Sequence, residues 1–136
     1  MAGLAPKLPL RIDDTDGYAL IKSYEELARQ NLKMLVLTIP GERIMDPNFG
    51  VGLKKYLFEP ASPGLYGNIE GRIRSQVNNY LPYIKVLKVK FQAPQGGDLV
   101  DSQLLSVEIK FLIAPLKVKS TLLLDLEWKL NSLRLR

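Results

Sequence analysis

At Pro82 the apolar period of this chain changes, and that change restricts the fold more than any single motif. Before it, Leu65, Ile69, Ile73, Val77 and Tyr80 recur at intervals of four, four, four and three residues. Such spacing puts them on one face of an α-helix. After it, Leu105, Val107, Ile109, Phe111 and Ile113 alternate with Ser106, Glu108 and Lys110. A second run follows, in which Leu116, Val118, Ser120, Leu122, Leu124, Leu126 and Trp128 alternate with Lys117, Lys119, Thr121, Leu123, Asp125, Glu127 and Lys129. Period two is the signature of half-buried strands. Helices followed by antiparallel strands make an α+β fold.

The remaining elements complete a predicted order of β-α-(α)-α-β-β-β, two main helices packed on a small antiparallel sheet. Residues 1–7 read as a flexible lead. Leu8, Leu10 and Ile12 alternate with Pro9, Arg11 and Asp13, a short strand that Pro9 confines to an edge. Asp13 to Gly17 is a turn cluster. Ser23 with Glu26 has the form of a capping box, opening a helix that Pro40-Gly41 ends. The second half of that helix, Leu32 to Leu37, is apolar nearly all round, so it is buried on most sides. A short helix is expected over Val51–Phe58. Ser62-Pro63 then caps and starts the long helix, in which Gly67 and Gly71 leave room for another backbone. Ile84 and Val86 have the opposite parity to Leu87, Val89 and Phe91, which predicts a bulge near Val86. Pro94 to Asp98 reads as a hairpin loop. Residues 129–136 read as a C-terminal tail of one domain covering 1–136.

Composition removes whole classes of chemistry. The 136 residues include no His and no Cys. That excludes a Ser-His-Asp or Cys-His nucleophile, a His metal ligand, a zinc knuckle and a disulfide. No cofactor or metal is expected. The longest apolar runs fall far short of the ~20 residues that span a bilayer, and the N-terminus has no signal-peptide pattern. Lys+Arg number 19 against 14 Asp+Glu, a net charge of +5. The small clusters Lys85/Lys88/Lys90 and Lys117/Lys119 lack the interleaved aromatics of a nucleic-acid platform, so solubility and protein contact are the preferred reading.

Four constellations bear on function. Glu42, Asp46, Glu59 and Glu70 are candidates for two-carboxylate glycoside hydrolysis, which needs one acid kept protonated in an apolar pocket. Turns, an Arg pairing and solvation account for them more simply. Gly50-Val51-Gly52 before Lys54-Lys55 lacks the spacing of a phosphate loop. Glu42-Arg43, framed by glycines and prolines, suits either an internal tie or contact with a neighbouring subunit. Finally, the run 116–128 has no Gly and no Pro. A long regular strand with a free edge is a template for strand addition by another chain.

The segment Leu35-Val36-Leu37-Thr38-Ile39-Pro40-Gly41-Glu42-Arg43-Ile44-Met45-Asp46-Pro47-Asn48-Phe49-Gly50-Val51-Gly52-Leu53, with Leu57-Phe58-Glu59-Pro60, resembles the baseplate-wedge, sheath-initiator family of contractile phage tails and related injection systems. Pro9 to Asp13 fits the family as well. The chain departs from the family's frequent Glu-Pro-Arg at Leu81-Pro82-Tyr83, where only Pro82 is shared. The resemblance implies a structural, non-enzymatic protein in six copies, assembled in the cytoplasm into a tail or tail-like particle. Its expected partners are the tail sheath protein, other wedge proteins and the base of the inner tube, with no nucleic acid or membrane. Sheath contact is expected at Ile109, Phe111, Leu116, Val118, Ser120, Leu122, Leu124 and Leu126. Baseplate docking is expected at Glu42, Arg43, Phe49, Glu59, Arg72 and Pro82. A lysozyme-like carboxylate hydrolase is the alternative.

Overall fold

The computed structural model describes residues 3–15, 17–58, 63–92, 102–129 and 132–135. The chain begins with four two-residue strands, β1 (Ala5–Pro6), β2 (Ile12–Asp13), β3 (Gly17–Tyr18) and β4 (Leu20–Ile21). Helix α1 (Tyr24–Leu37), a 3-10 turn (Leu53–Phe58) and helix α2 (Pro63–Tyr80) follow. The rest is strand: β5 (Ile84–Gln92), β6 (Ser102–Ile113), β7 (Val118–Lys129) and β8 (Ser132–Leu135), in the antiparallel order β5-β6-β7-β8. The fold class is α+β, as the change of period predicts.

The N-terminus differs from the single strand predicted over 8–12. β1 pairs with β4 and β2 with β3, while Leu8, Leu10 and Ile12 are exposed. Residues 4–7, expected as a free lead, are tied down: Leu4 N–H donates to the Ile21 carbonyl and Lys7 N–H to that of Ala19, both at 2.8 Å. Ser23 stands at the N-cap of α1 in extended backbone, but its side chain makes no capping bond. The capping box is therefore absent, and only the Glu25 and Glu26 charges favour that helix end. α1 stops at Leu37, two residues short of the predicted Ile39. There the Thr38 hydroxyl and N–H both donate to the Met34 carbonyl, at 2.6 and 3.0 Å, closing the last turn.

α1 lies against β7 and α2 against β5. The register pairs Ile113 with Val118, Phe111 with Ser120, Ile109 with Leu122 and Val107 with Leu124, which sets all eight on the face beneath the helices. Leu32, Leu35 and Val36 of α1 and Ile69, Ile73 and Val77 of α2 complete the core. Burying each such side chain is worth about 1.5–3 kcal/mol. The predicted bulge is present: the β5–β6 register shifts between Val86 and Lys88. Leu87 is the bulged residue and is 46% exposed, so it leaves the face it was predicted to share with Val89 and Phe91. A Cβ added at Gly67 or Gly71 would meet nothing within 4 Å, so among the described residues no backbone uses the space they leave.

β8 is the element the alternation did not predict. Where a tail was expected, Ser132 to Leu135 pair with Lys129 to Leu126 of β7. The predicted hairpin loop at 94–98 lies outside the described residues.

Candidate functional site

Two surfaces gather the residues singled out by sequence. The first is loop 40–52, which α2 clamps in place. Gln76, buried in the flank of α2, accepts the Gly50 N–H at 3.0 Å and donates to the Asn48 carbonyl at 3.1 Å. Arg72 donates to the Gly50 carbonyl at 3.4 Å. The Tyr80 hydroxyl donates to the Asp46 carboxylate at 3.1 Å, and the Tyr80 ring meets Phe49 edge-on with centroids 4.9 Å apart. That hydrogen bond, followed by burial and the Asp46 charge, holds the Tyr80 ionisation above its ordinary value of 10.0. From α1, Thr38 accepts the Gly52 N–H at 2.9 Å and Leu35 the Val51 N–H at 3.1 Å.

The predicted docking residues divide over this frame. Arg43 lies over the Phe49 ring, 3.8 Å from its centroid, a cation–π stack. Arg43, Phe49 and Arg72 are thus brought together. Glu42, though exposed, folds back on the end of α1 and accepts the Ile39 N–H at 3.1 Å, in place of the Arg pairing expected for it. Pro82 is exposed at the exit of α2. Glu59 lies outside the described residues. Sequence reasoning missed Ile44 and Met45 at the loop tip, 95% and 96% exposed. It also missed Gln76, whose signal is a polar residue three positions after the buried Ile73. Replacing Gln76 with leucine is expected to cost about 1–3 kcal/mol, because two backbone groups of the loop lose their partner. Urea denaturation of the purified chain measures it.

The second surface is the outer side of β7. β8 covers it only from Leu126 to Lys129, so among the described residues Val118 to Asp125 have no strand beyond them. Along this edge, Leu122 and Leu123 share a groove of about 430 Å³ with Leu8 and Pro9 and with Met34 and Leu37 of α1. Ser120 fixes α1 above it, accepting from Arg29 at 2.7 Å and donating to Glu25 at 3.1 Å.

The residues expected to meet the sheath occupy different places. Ile109 and Phe111 are buried in β6, which is hydrogen-bonded on both sides, so they offer no edge and are core residues. Ser120, Leu122 and Leu124 point their side chains under the helices, and only their backbone borders the open side. Val118 is half-buried on the same face. Leu126 holds the register position opposite Leu135. Leu116 is in the β6–β7 turn, 46% exposed. The side chains on the outward parity are Lys119, Thr121 and Leu123.

The three described carboxylates of the hydrolase alternative are engaged elsewhere. Asp46 accepts from Tyr80 and from the Asn48 N–H, Glu42 from Ile39, and Glu70 pairs with Arg74 at 3.0 Å. Arg74 also donates to the Val86 carbonyl at 2.9 Å, beside the bulge, so it braces the sheet.

Comparison with known proteins places this arrangement. A family model described as baseplate wedge protein gp25 matches residues 22–115. The baseplate wedge protein gp25 of Enterobacteria phage T4 is 34% identical over 85 residues, 62% of this chain and 61% of that protein. The match thus spans less than two thirds of the relative's own length. A chain in the 6-fold symmetrised cryo-EM baseplate of the anti-feeding prophage superposes with a TM-score of 0.68 at 27% identity, covering 81% of this chain and 84% of that one. A crystal structure from Geobacter sulfurreducens, provisionally named a tail lysozyme, gives 0.61 at 21% identity over 83% of this chain and 98% of that one. At that identity the likeness is one of fold alone.

Proposed function

The chain belongs to the baseplate wedge gp25 family, which matches it over residues 22–115, and from that premise we propose that it anchors and initiates the contractile sheath without acting as an enzyme. The observation that carries the reading is the side of β7 from Val118 to Asp125, which no described strand covers and which lies beside a groove lined by Leu8, Pro9, Met34 and Leu37 together with the charged Glu26, Arg29 and Lys33. A segment of a sheath subunit adds there as a further strand. Its main chain pairs with the edge, and its inward side chains enter the groove between α1 and residues 8–9. Loop 40–52 presents Ile44 and Met45 to neighbouring wedge proteins, and its clamp to α2 spares the entropy of ordering it on docking. Six copies per particle accord with the 6-fold symmetrised baseplate of the relative. The base of the inner tube is a further neighbour, and assembly takes place in the cytoplasm before the tail or tail-like particle is complete.

Amide hydrogen exchange tests the strand addition directly. In the free chain, alternate amides of 118–125 should exchange fast, since no described strand covers them. In assembled particles they should slow by about a hundredfold, the equivalent of about 3 kcal/mol of local protection. Equal rates in both states would remove the proposal. Of the candidate acids of a carboxylate hydrolase, Glu42, Asp46 and Glu70 already bind partners within the chain.

A further inference from the structure

The sheet face turned away from the helices carries a charge pattern that neither the fold nor strand addition explains. The register sets nine described residues in three rows across β5, β6 and β7: Lys85–Leu112–Lys119, Lys88–Lys110–Thr121 and Lys90–Glu108–Leu123. Five lysines stand against one glutamate, a surplus of four on a chain whose whole surplus is five. Lys85, Lys88, Lys90 and Lys119 are exposed, and among the described residues none of them has an ion pair. Lys110 reaches Glu108 only at 4.0 Å. Asp125 and Glu127 hold the next positions of this parity, toward the far end of β7.

The middle row is the telling one. Lys88 and Lys110 are direct cross-strand partners, and like charges placed opposite each other destabilise a sheet. A fold serving only itself would gain from the opposite sign at either position. We infer that this basic face docks on an acidic protein surface, whose Asp and Glu carboxylates fill the space between the rows. Leu112 and exposed Leu123 give the contact an apolar component. The nine positions hold no aromatic residue on which a base could stack, and lysines alternating with leucine, threonine and glutamate suit a protein face better than a phosphate backbone. The inference rests on the chain working within a baseplate assembly, but it is separable from strand addition, which uses the main chain along the edge of β7 and shares only Leu123 with this face.

Carbodiimide coupling in assembled particles joins a lysine amine to a carboxylate only where the two already touch. Lys85, Lys88, Lys110 and Lys119 should couple to acidic peptides of a neighbouring protein in the particle, and not in the free chain. Lys88→Glu should leave the melting temperature of the free chain unchanged or raised, because it creates an ion pair with Lys110. Yet its incorporation into particles at about 0.15 M salt should fall about tenfold, since a like charge now faces the partner. The double variant Lys85→Glu/Lys119→Glu, whose positions flank Leu112, should show the same loss. Full incorporation of these variants, or lysines that couple no more in the particle than alone, would overturn the inference. So would retention of the chain on duplex DNA without any carboxylate coupling. Protected β7 amides together with uncoupled lysines would sink this inference and leave the strand-addition proposal intact.

Discussion

Gly50→Ala is expected to lower the stability of the chain by about 2–6 kcal/mol, taking backbone strain and overpacking at about 1–3 kcal/mol each. Gly50 has a φ of 113°, a region that side chains with a Cβ rarely occupy. A Cβ there would stand 2.8 Å from the carbonyl carbon of Thr38 and closer still to its oxygen. That carbonyl has no freedom to retreat, because it receives the Gly52 N–H at 2.9 Å at the end of α1. Nor can Gly50 move, since Gln76 and Arg72 hold its N–H and carbonyl from α2. Against a typical stability of about 5–15 kcal/mol, the loss is large. Gly41→Ala provides the control: its φ is 98°, but an added Cβ meets nothing within 4 Å. Its cost should be strain alone. Denaturant titration of both variants decides the matter, and a Gly50→Ala loss no greater than that of Gly41→Ala would mean that the clamp yields.

The difference between these two glycines also shows what a sequence reading captures. The density of glycine and proline over 40–60 marks a fixed backbone path, but the residues that fix it, Gln76 and Tyr80, come from α2. Only the packing of the two helices brings them near. Periodicity was sufficient where one face is buried: it located both helices, the faces of β6 and β7, and, through a parity break, the bulge beside Val86. It failed at β8, because four residues carry too few alternations to register. It also hid the basic face. Lys85, Lys88 and Lys90 are far from Lys110 and Lys119 in sequence, and only antiparallel pairing sets them in rows. The N-cap signal at Ser23 located the start of α1 correctly, but not the capping bond. The backbone there is extended, yet the serine hydroxyl makes no bond to the helix end. The free edge was legible as a long strand without Gly or Pro, but its length was overestimated, since the chain's own β8 covers residues 126–129.

The shortened edge sharpens the expected outcome at β7, where proline should separate sheath nucleation from folding. Successive residues of an antiparallel strand direct their N–H groups to opposite sides. Of Ser120 and Thr121, then, one donates toward β6 and the other toward the vacant side. Proline facing β6 removes a ladder bond and leaves a carbonyl unpaired, costing about 1–3 kcal/mol. Proline facing outward is tolerated in a free edge strand, but it deletes a donor and sets a ring where the added strand must lie. Because Ser120 also bonds Arg29 and Glu25, Ser120→Ala corrects for that loss. Each bond to an added strand is worth only about 0.5–1.5 kcal/mol net. Near the upper end, one lost bond weakens each site about tenfold. If, as proposed, identical sites in a ring hold the sheath by avidity, the effect compounds. Whichever proline variant melts closer to the parent should still yield particles with absent or stunted sheaths by electron microscopy. A variant that melts like the parent and nucleates sheaths of full length would show that the vacant side of β7 plays no part in sheath attachment.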